Sequence, residues 1–345
     1  MMFIPSPFFN LSNRISRGVR KLATMSLTSH SSTFLLPNLP TDDGPALTYA
    51  LVILNQSLPK FTPLLWKHAK VHICADGGAN RVFDELPGMF PHEEPSEIRK
   101  RYKPYAIKGD MDSIRTDVLD YYRGLGTKII DESQDQDTTD LNKCVTYIRD
   151  SLNPEHPNLC ILVTGALGGR FDHEMGNINV ICCFPSMRII LLSDDSLIQL
   201  LPSKHHHKIH IHSSVEGPHC GLIPIGMVAR RTSTTGLQWN LGGVLVGHSP
   251  LNLPKAASLS MKIHLGSPKF LRSIYLQVTL WNCPLSLNYI YLIEEESASA
   301  ISQQPQNNTE MRFGGLVSTS NIVKENIVTV QSDSDLLWTI SIKKD

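Results

Sequence analysis

The residues best placed to do chemistry are aspartates that follow short apolar runs. Asp76 stands in Ala75-Asp76-Gly77-Gly78-Ala79-Asn80, and Asp110 and Asp112 stand in Lys108-Gly109-Asp110-Met111-Asp112-Ser113. If those runs are strands of an open parallel sheet, their carboxyl ends share the edge where ligands bind. Three carboxylates on one edge repel one another unless a cation sits among them. Each has a plainer reading too, since Asp112 and Ser113 are good helix caps and Asp–Gly pairs make turns. The segment 131–140 (DESQDQDTTD) adds five carboxylates directly after another apolar run. A solvated acidic loop explains that charge equally well. Yet Thr138 or Thr139 could cap a following helix, which places Asp140 in its first turn, where backbone N–H groups can face phosphate oxygens. Asp110, Asp112 and Asp140 together form a hard-oxygen donor set suited to Mg²⁺, an ion that keeps waters and bridges phosphates.

A third strand end carries residues 165–173 (GALGGRFDH). Its glycines permit close backbone approach, and Arg170 offers a fork of donors matched to phosphate. It is neither a Walker loop nor a dinucleotide fingerprint, and it reads equally as a turn before a helix capped by Asp172. The tract 204–212 (KHHHKIHIH) invites a zinc reading, but alternation along a strand with interleaved lysines is better explained as a polar sheet face. Trp239 is either core or a ligand platform.

The elements that must position these groups follow from periodicity. Short apolar, β-branched runs at 48–54, 71–75, 105–108, 127–130, 159–164 and 188–192 read as strands. Between them, Ser113 could cap a helix burying Ile114, Val118, Tyr121, Tyr122 and Leu125, and a second helix would bury Leu141, Val145 and Ile148. Alternating strands and helices imply a mostly parallel α/β sheet over residues 48–195. After residue 196 the helical period disappears. Strands are expected at 197–201, 208–212, 221–225, 237–241, 316–320, 327–331 and 336–342, which reads as an all-β sandwich over 196–345. The fold class is therefore an α/β N-terminal domain followed by an all-β sandwich domain.

Residues 242–307 fit neither rhythm. They contain no Asp and hold loose apolar runs around one acidic knot, Glu294-Glu295-Glu296. The most apolar part, 270–293, is interrupted by Arg272, Gln277, Asn282, Pro284 and Asn288, so a loose insertion is expected rather than a membrane helix.

Composition bounds the rest. The chain has 345 residues, 41% of them hydrophobic, with 32 basic and 32 acidic side chains. That supports two cores and excludes polybasic nucleic-acid or membrane-surface binding. Seven scattered cysteines without a C-x-x-C pair suit a reducing compartment. Residues 1–47 read as a disordered leader. The first carboxylate is Asp42, and Arg14, Arg17, Arg20 and Lys21 give residues 1–24 some transit-peptide character, although Met25 could itself serve as a start.

These blocks together resemble thiamine pyrophosphokinase, most nearly its plant members. The resemblance is carried by residues 74–81 (CADGGANR), 107–115 (IKGDMDSIR), 135–140 (DQDTTD), 168–173 (GGRFDH), 216–226 (EGPHCGLIPIG), 235–241 (TGLQWNL), 313–321 (FGGLVSTSN) and 336–342 (LLWTISI). It spans 49–344 apart from the insertion. It implies transfer of the diphosphoryl group of ATP to the hydroxyl of thiamine, giving thiamine diphosphate and AMP. It also implies a homodimer with active sites at the subunit interface, and a cytosolic location. By the same resemblance Asp110, Asp112 and Asp140 would hold Mg²⁺, and Gln136, Thr139, Arg170 and Asp172 would line the phosphate and thiamine region. Asp76, Gly77, Gly78 and Asn80 would shape the nucleotide loop. Trp239 would stack on thiamine from the partner subunit, with Ser320 and Asn321 nearby. The insertion departs from the family pattern directly after Trp239-Asn240-Leu241, as a retained intron or gene-model error would. The alternative function is then a non-catalytic homologue or splice form whose insertion disrupts the shared site.

Overall fold

Short runs rich in apolar, β-branched residues become the strands of the first half, and the mixed stretches between them become helices. The computed structural model describes residues 26–39, 47–151, 158–203, 205–242 and 309–343, with the backbone of 257–264, 273–280 and 287–292. The first elements are β1 (Ser26–Ser31), β2 (Thr48–Ile53), α1 (Thr62–His68), β3 (Ala69–Ala75), α2 (Gly78–Glu85), α3 (Pro95–Arg101) and β4 (Ala106–Gly109). They are followed by α4 (Thr116–Gly124), β5 (Lys128–Asp131), α5 (Asp140–Ser151), β6 (Leu159–Thr164), α6 (Phe171–Cys183) and β7 (Arg188–Leu192).

β2 to β7 pair in parallel in the order β7-β6-β2-β3-β4-β5. All six residues of β6 and five of six in β2 are buried, as expected for strands covered by helices on both faces. The chain runs outward from β2 to β5, then α5 returns it to the other side of β2. Strand order therefore reverses between β2 and β6, which makes that point the crevice of the sheet.

After Asp194-Asp195 the direction reverses. β8 (Ser196–Leu201) pairs antiparallel with β7. Then come β9 (His205–His210), β10 (Glu216–Pro224), β11 (Ala229–Thr235), β12 (Ala257–His264), β13 (Ser273–Leu280) and β14 (Leu287–Leu292). The chain closes with β15 (Thr309–Met311), β16 (Ser318–Ile322), β17 (Ile327–Ser332) and β18 (Leu336–Ile342). β8, β18, β10 and β16 extend the parallel sheet without a break into one ten-stranded sheet, and a second sheet runs β1-β9-β17-β11-β15. The architecture is thus an α/β part with a mostly parallel sheet plus a β-rich part. Residues 241–309 form a separate compact unit, in which β12, β13 and β14 make an antiparallel meander. The remainder of the expected insertion lies outside the described residues. No helix among the described residues is long and apolar enough to cross a membrane.

Several local expectations need correction. The leader does not run to residue 47: Ser26–Ser31 forms a strand pairing with His205–His210, and Phe34 is fully buried. Thr28, His30 and Ser31 of that strand turn to hydrogen-bond partners, so a polar composition hid it. Ser31 and Thr28 reach His212 and His205, and His30 Nε2 lies 2.9 Å from His207 Nδ1. Residues 1–25 and 40–46 lie outside the described residues. α4 begins at Thr116 rather than after a Ser113 cap, because the Arg115 amide that such a cap would hold is taken by Asn80 Oδ1. Residues 237–241 form a turn, with only Leu237 bridging to Val323. The described cysteines are free thiols.

Candidate active site

The loops at the carboxyl ends of β2, β3, β4 and β6 enclose a cavity of about 630 Å³ at the switch point. Asp76 ends β3 with φ of +42° and is 1% exposed. Its two oxygens accept hydrogen bonds from Ser113 N at 2.8 Å and Ile114 N at 3.1 Å. Asn80 completes the grip: Nδ2 donates to Ser113 O, and Oδ1 accepts from Arg115 N. The loop bearing Asp110 and Asp112 is therefore clamped by the end of the neighbouring strand. Met111 (φ +64°) separates the two carboxylates.

Only one of those two carboxylates turns inward to the acidic cluster. Oxygens of Asp76, Asp110 and Asp140 lie within 4.8 Å of one another, whereas Asp112 is exposed and accepts a hydrogen bond from Ser113 Oγ. Of the trio read from the sequence, Asp110 and Asp140 converge together with Asp76, while Asp112 lines the same cavity from its exposed side. Gly109 is what allows this closeness. A Cβ there would lie 2.7 Å from Asp76 Cβ and 2.8 Å from Asp140 Oδ1.

The cluster is electrostatically loaded. Burial, then the charges of Asp110 and Asp76, push the Asp140 carboxyl up to about 6. Burial raises Asp76 too, opposed by the two amides it holds. Asp140 Oδ1 is buried and has no hydrogen-bond partner among the described residues. Three convergent carboxylates with an unpartnered inner oxygen match a hard divalent cation such as Mg²⁺. The other carboxylates of 131–140 serve elsewhere. Asp131 and Asp135 accept backbone amides of their own turns, and Glu132 pairs with Lys108.

Facing the cluster across the cavity is the loop after β6. Glu174 Oε1 accepts from Gly168 N at 2.8 Å and Gly169 N at 3.1 Å, which fixes the glycine turn and presents Arg170. Arg170 and Asp172 are exposed and paired, Nε to Oδ1 at 3.1 Å, and the guanidinium holds the Asp172 carboxyl below the usual range. Thr139 lines the cavity and caps α5, accepting from Asn142 N.

Other expected site residues fall outside the cavity lining. Gln136 is exposed and donates to Ser133 O. Gly77 lines the cavity, while Gly78 lies behind it, its missing Cβ making room for Ile53 O. Asn80 acts on the loop, as above. Trp239, Ser320 and Asn321 are also absent from the lining. Trp239 is 55% exposed, on a turn bracketed by the buried Asn321, whose Nδ2 donates to Trp239 O and whose Oδ1 accepts from Trp239 N. Ser320 sits beside it at φ of +56°.

Sequence reasoning missed several polar cavity residues, among them Asn55, Gln56, Arg81 and Glu174. Asn55 and Gln56 follow β2 and have no motif; the switch-point rule is the signal that could have found them. Arg81, one residue past Asn80, donates to Asn55 Oδ1 at 2.9 Å and Glu85 Oε1 at 3.1 Å. Glu174 was legible only as an acid in a first helical turn.

The family model "Thiamin pyrophosphokinase, catalytic domain" matches residues 62–191. "Thiamin pyrophosphokinase, vitamin B1 binding domain" matches 206–250 and 305–337, passing over the segment between. Thiamine pyrophosphokinase 2 of Arabidopsis thaliana is 54% identical over 324 residues, covering 94% of this chain and 96% of that protein. Thiamine pyrophosphokinase 3 of Oryza sativa subsp. japonica is 49% identical over 329 residues, covering 93% and 99%. The crystal structure of yeast thiamin pyrophosphokinase shares the fold, with a TM-score of 0.62 at 20% identity over 91% of each chain. The chain belongs to the thiamine pyrophosphokinase family.

Proposed function

We propose that this chain transfers the diphosphoryl group of ATP to the hydroxyl of thiamine, releasing thiamine diphosphate and AMP. The observation that carries the reading is the convergence of Asp76, Asp110 and Asp140 at the switch-point cavity, opposite Arg170. The new bond joins the thiamine oxygen to the β-phosphorus; the bond that breaks links that phosphorus to the oxygen left on AMP. Chemistry of this kind depends mainly on in-line positioning and charge neutralisation. Asp76, Asp110 and Asp140 would hold Mg²⁺, with Asp112 at the mouth. The ion would neutralise phosphate charge in the ground and transition states. Arg170 supplies donors to phosphate oxygens, and Asp172 orients that guanidinium. The N-terminal end of α5, capped by Thr139, turns free amides toward the same space.

Thiamine recognition is assigned to Trp239, Ser320 and the Asn321-braced turn. An exposed aromatic face suits a cationic heterocycle. Because these groups do not line the cavity of their own chain, a homodimer with shared sites completes the assignment. A cytosolic location goes with it. No observation favours the non-catalytic alternative. The test is product analysis with thiamine, ATP and Mg²⁺, for the full chain and for a chain lacking 242–307. AMP formed one-for-one with thiamine diphosphate is expected; ADP as the nucleotide product overturns the reaction.

A further inference from the structure

Lys143 lies one helical turn after Asp140 on α5 and is 3% exposed. Among the described residues its ammonium makes one ion pair, with Asp140 Oδ1 at 3.8 Å, beyond hydrogen-bond reach. That oxygen is the same buried atom that lacks a hydrogen-bond partner. A nearby buried lysine, Lys108, is in a different situation, being committed to Glu132. A dehydrated ammonium persists only where negative charge offsets its lost hydration. Around Lys143 that charge comes from Asp140, its ion-pair partner, and from Asp135, whose carboxyl it helps to lower.

We propose that Lys143 is a positioning residue acting as a built-in counter-cation. It holds the crowded carboxylates together before a divalent ion arrives and opposes the ion once bound, so that the ion is exchangeable with each nucleotide. The inference rests on the divalent-ion reading of the cluster given above. It makes two effects of opposite sign from one substitution. Removing the charge leaves three carboxylates less compensated, which lowers the stability of the ion-free protein. The same removal takes a repelling charge away from a doubly charged guest, which strengthens its binding.

The experiment measures Mn²⁺ binding to the full chain without nucleotide, by calorimetry or electron paramagnetic resonance, alongside thermal unfolding. In Lys143→Met the ion-free melting temperature is expected to fall while Mn²⁺ affinity rises by about tenfold. Lys143→Arg, which keeps the charge, is expected to hold wild-type affinity. A lysine that matters only for packing would lower the melting temperature with affinity unchanged or weaker, and that result overturns the proposal. Should Lys143→Met and Lys143→Gln both unfold without ion, millimolar Mn²⁺ must restore their far-ultraviolet circular dichroism; failure to restore it also overturns the proposal. If the wild-type chain binds no Mn²⁺, the divalent-ion reading itself fails. If it binds and Lys143→Met binds equally, only the role of Lys143 fails.

Discussion

The acidic rim of the parallel sheet and the tryptophan turn of the β-rich part solve opposite problems. On the rim, each loop is gripped by its neighbour: Asp76 and Asn80 hold the Asp110 loop, and Glu174 holds the glycine turn before Arg170. The held groups converge on one cavity within the chain. At the tryptophan turn a single buried amide, that of Asn321, brackets the backbone while the ring stands in solvent. The rim is complete in itself. The turn is an exposed surface whose rigidity lies in the bracket rather than in the ring.

The sharpest way to break this contrast is Asp110→Asn. It removes one carboxylate from the cluster without disturbing the Asp76 clamp, so turnover should drop by at least about a hundredfold with the melting temperature little changed. Steady-state AMP release and calorimetry decide it, and retained turnover would detach the cluster from the chemistry. Next comes a mixing test. If each site pairs the rim of one chain with the turn of another, co-expressed Asp110→Asn and Trp239→Ala chains should recover about a quarter of wild-type activity, since half the dimers carry one intact site. No recovery would mean that both regions act within one chain. A smaller effect is expected from Asn321→Ala, which strips the bracket and leaves backbone groups of Trp239 unpaired. It should cost about 2 kcal/mol in chemical unfolding, where Trp239→Ala, changing only an exposed ring, should cost almost nothing.

The least change concerns pH, and it extends the contrast to charge. The rim crowds negative groups, while the β-rich part buries histidines uncharged. Burial, helped by His207 and Arg188, depresses His30 from 6.5 to about 3. The unfolded chain therefore gains a proton near 6.5 that the folded chain refuses, and stability is lost as pH falls from about 6.5 toward 3. The contribution should reach about 1 kcal/mol at pH 5.5. His30→Gln should flatten that slope of melting temperature against pH; an unchanged slope would assign the acid sensitivity elsewhere.

The sequence made the strand ends legible because buried parallel strands are unbroken apolar runs, and a polar residue stopping such a run marks its edge. Asp76, Asp110 and Asp140 could be placed on one rim for that reason. Which aspartate turns inward was not legible. It depends on left-handed backbone at Asp76 and Met111 and on the missing Cβ of Gly109, three properties that emerge only when the loops meet. Asn55 and Gln56 were invisible for another reason, since only strand order reveals that β2 ends at the crevice. The strand Ser26–Ser31 was hidden by its composition, being polar residues whose partners lie about 180 positions away.

One feature of the fold bears on motion. β7 and β8 lie side by side in a single uninterrupted sheet, so the two halves are joined like planks of one beam and not by a flexible strap. Hinged closure of one half on the other would break ladder hydrogen bonds along the whole seam. Tightening around a guest is therefore expected from the tips of loops rather than from hinging of the scaffold.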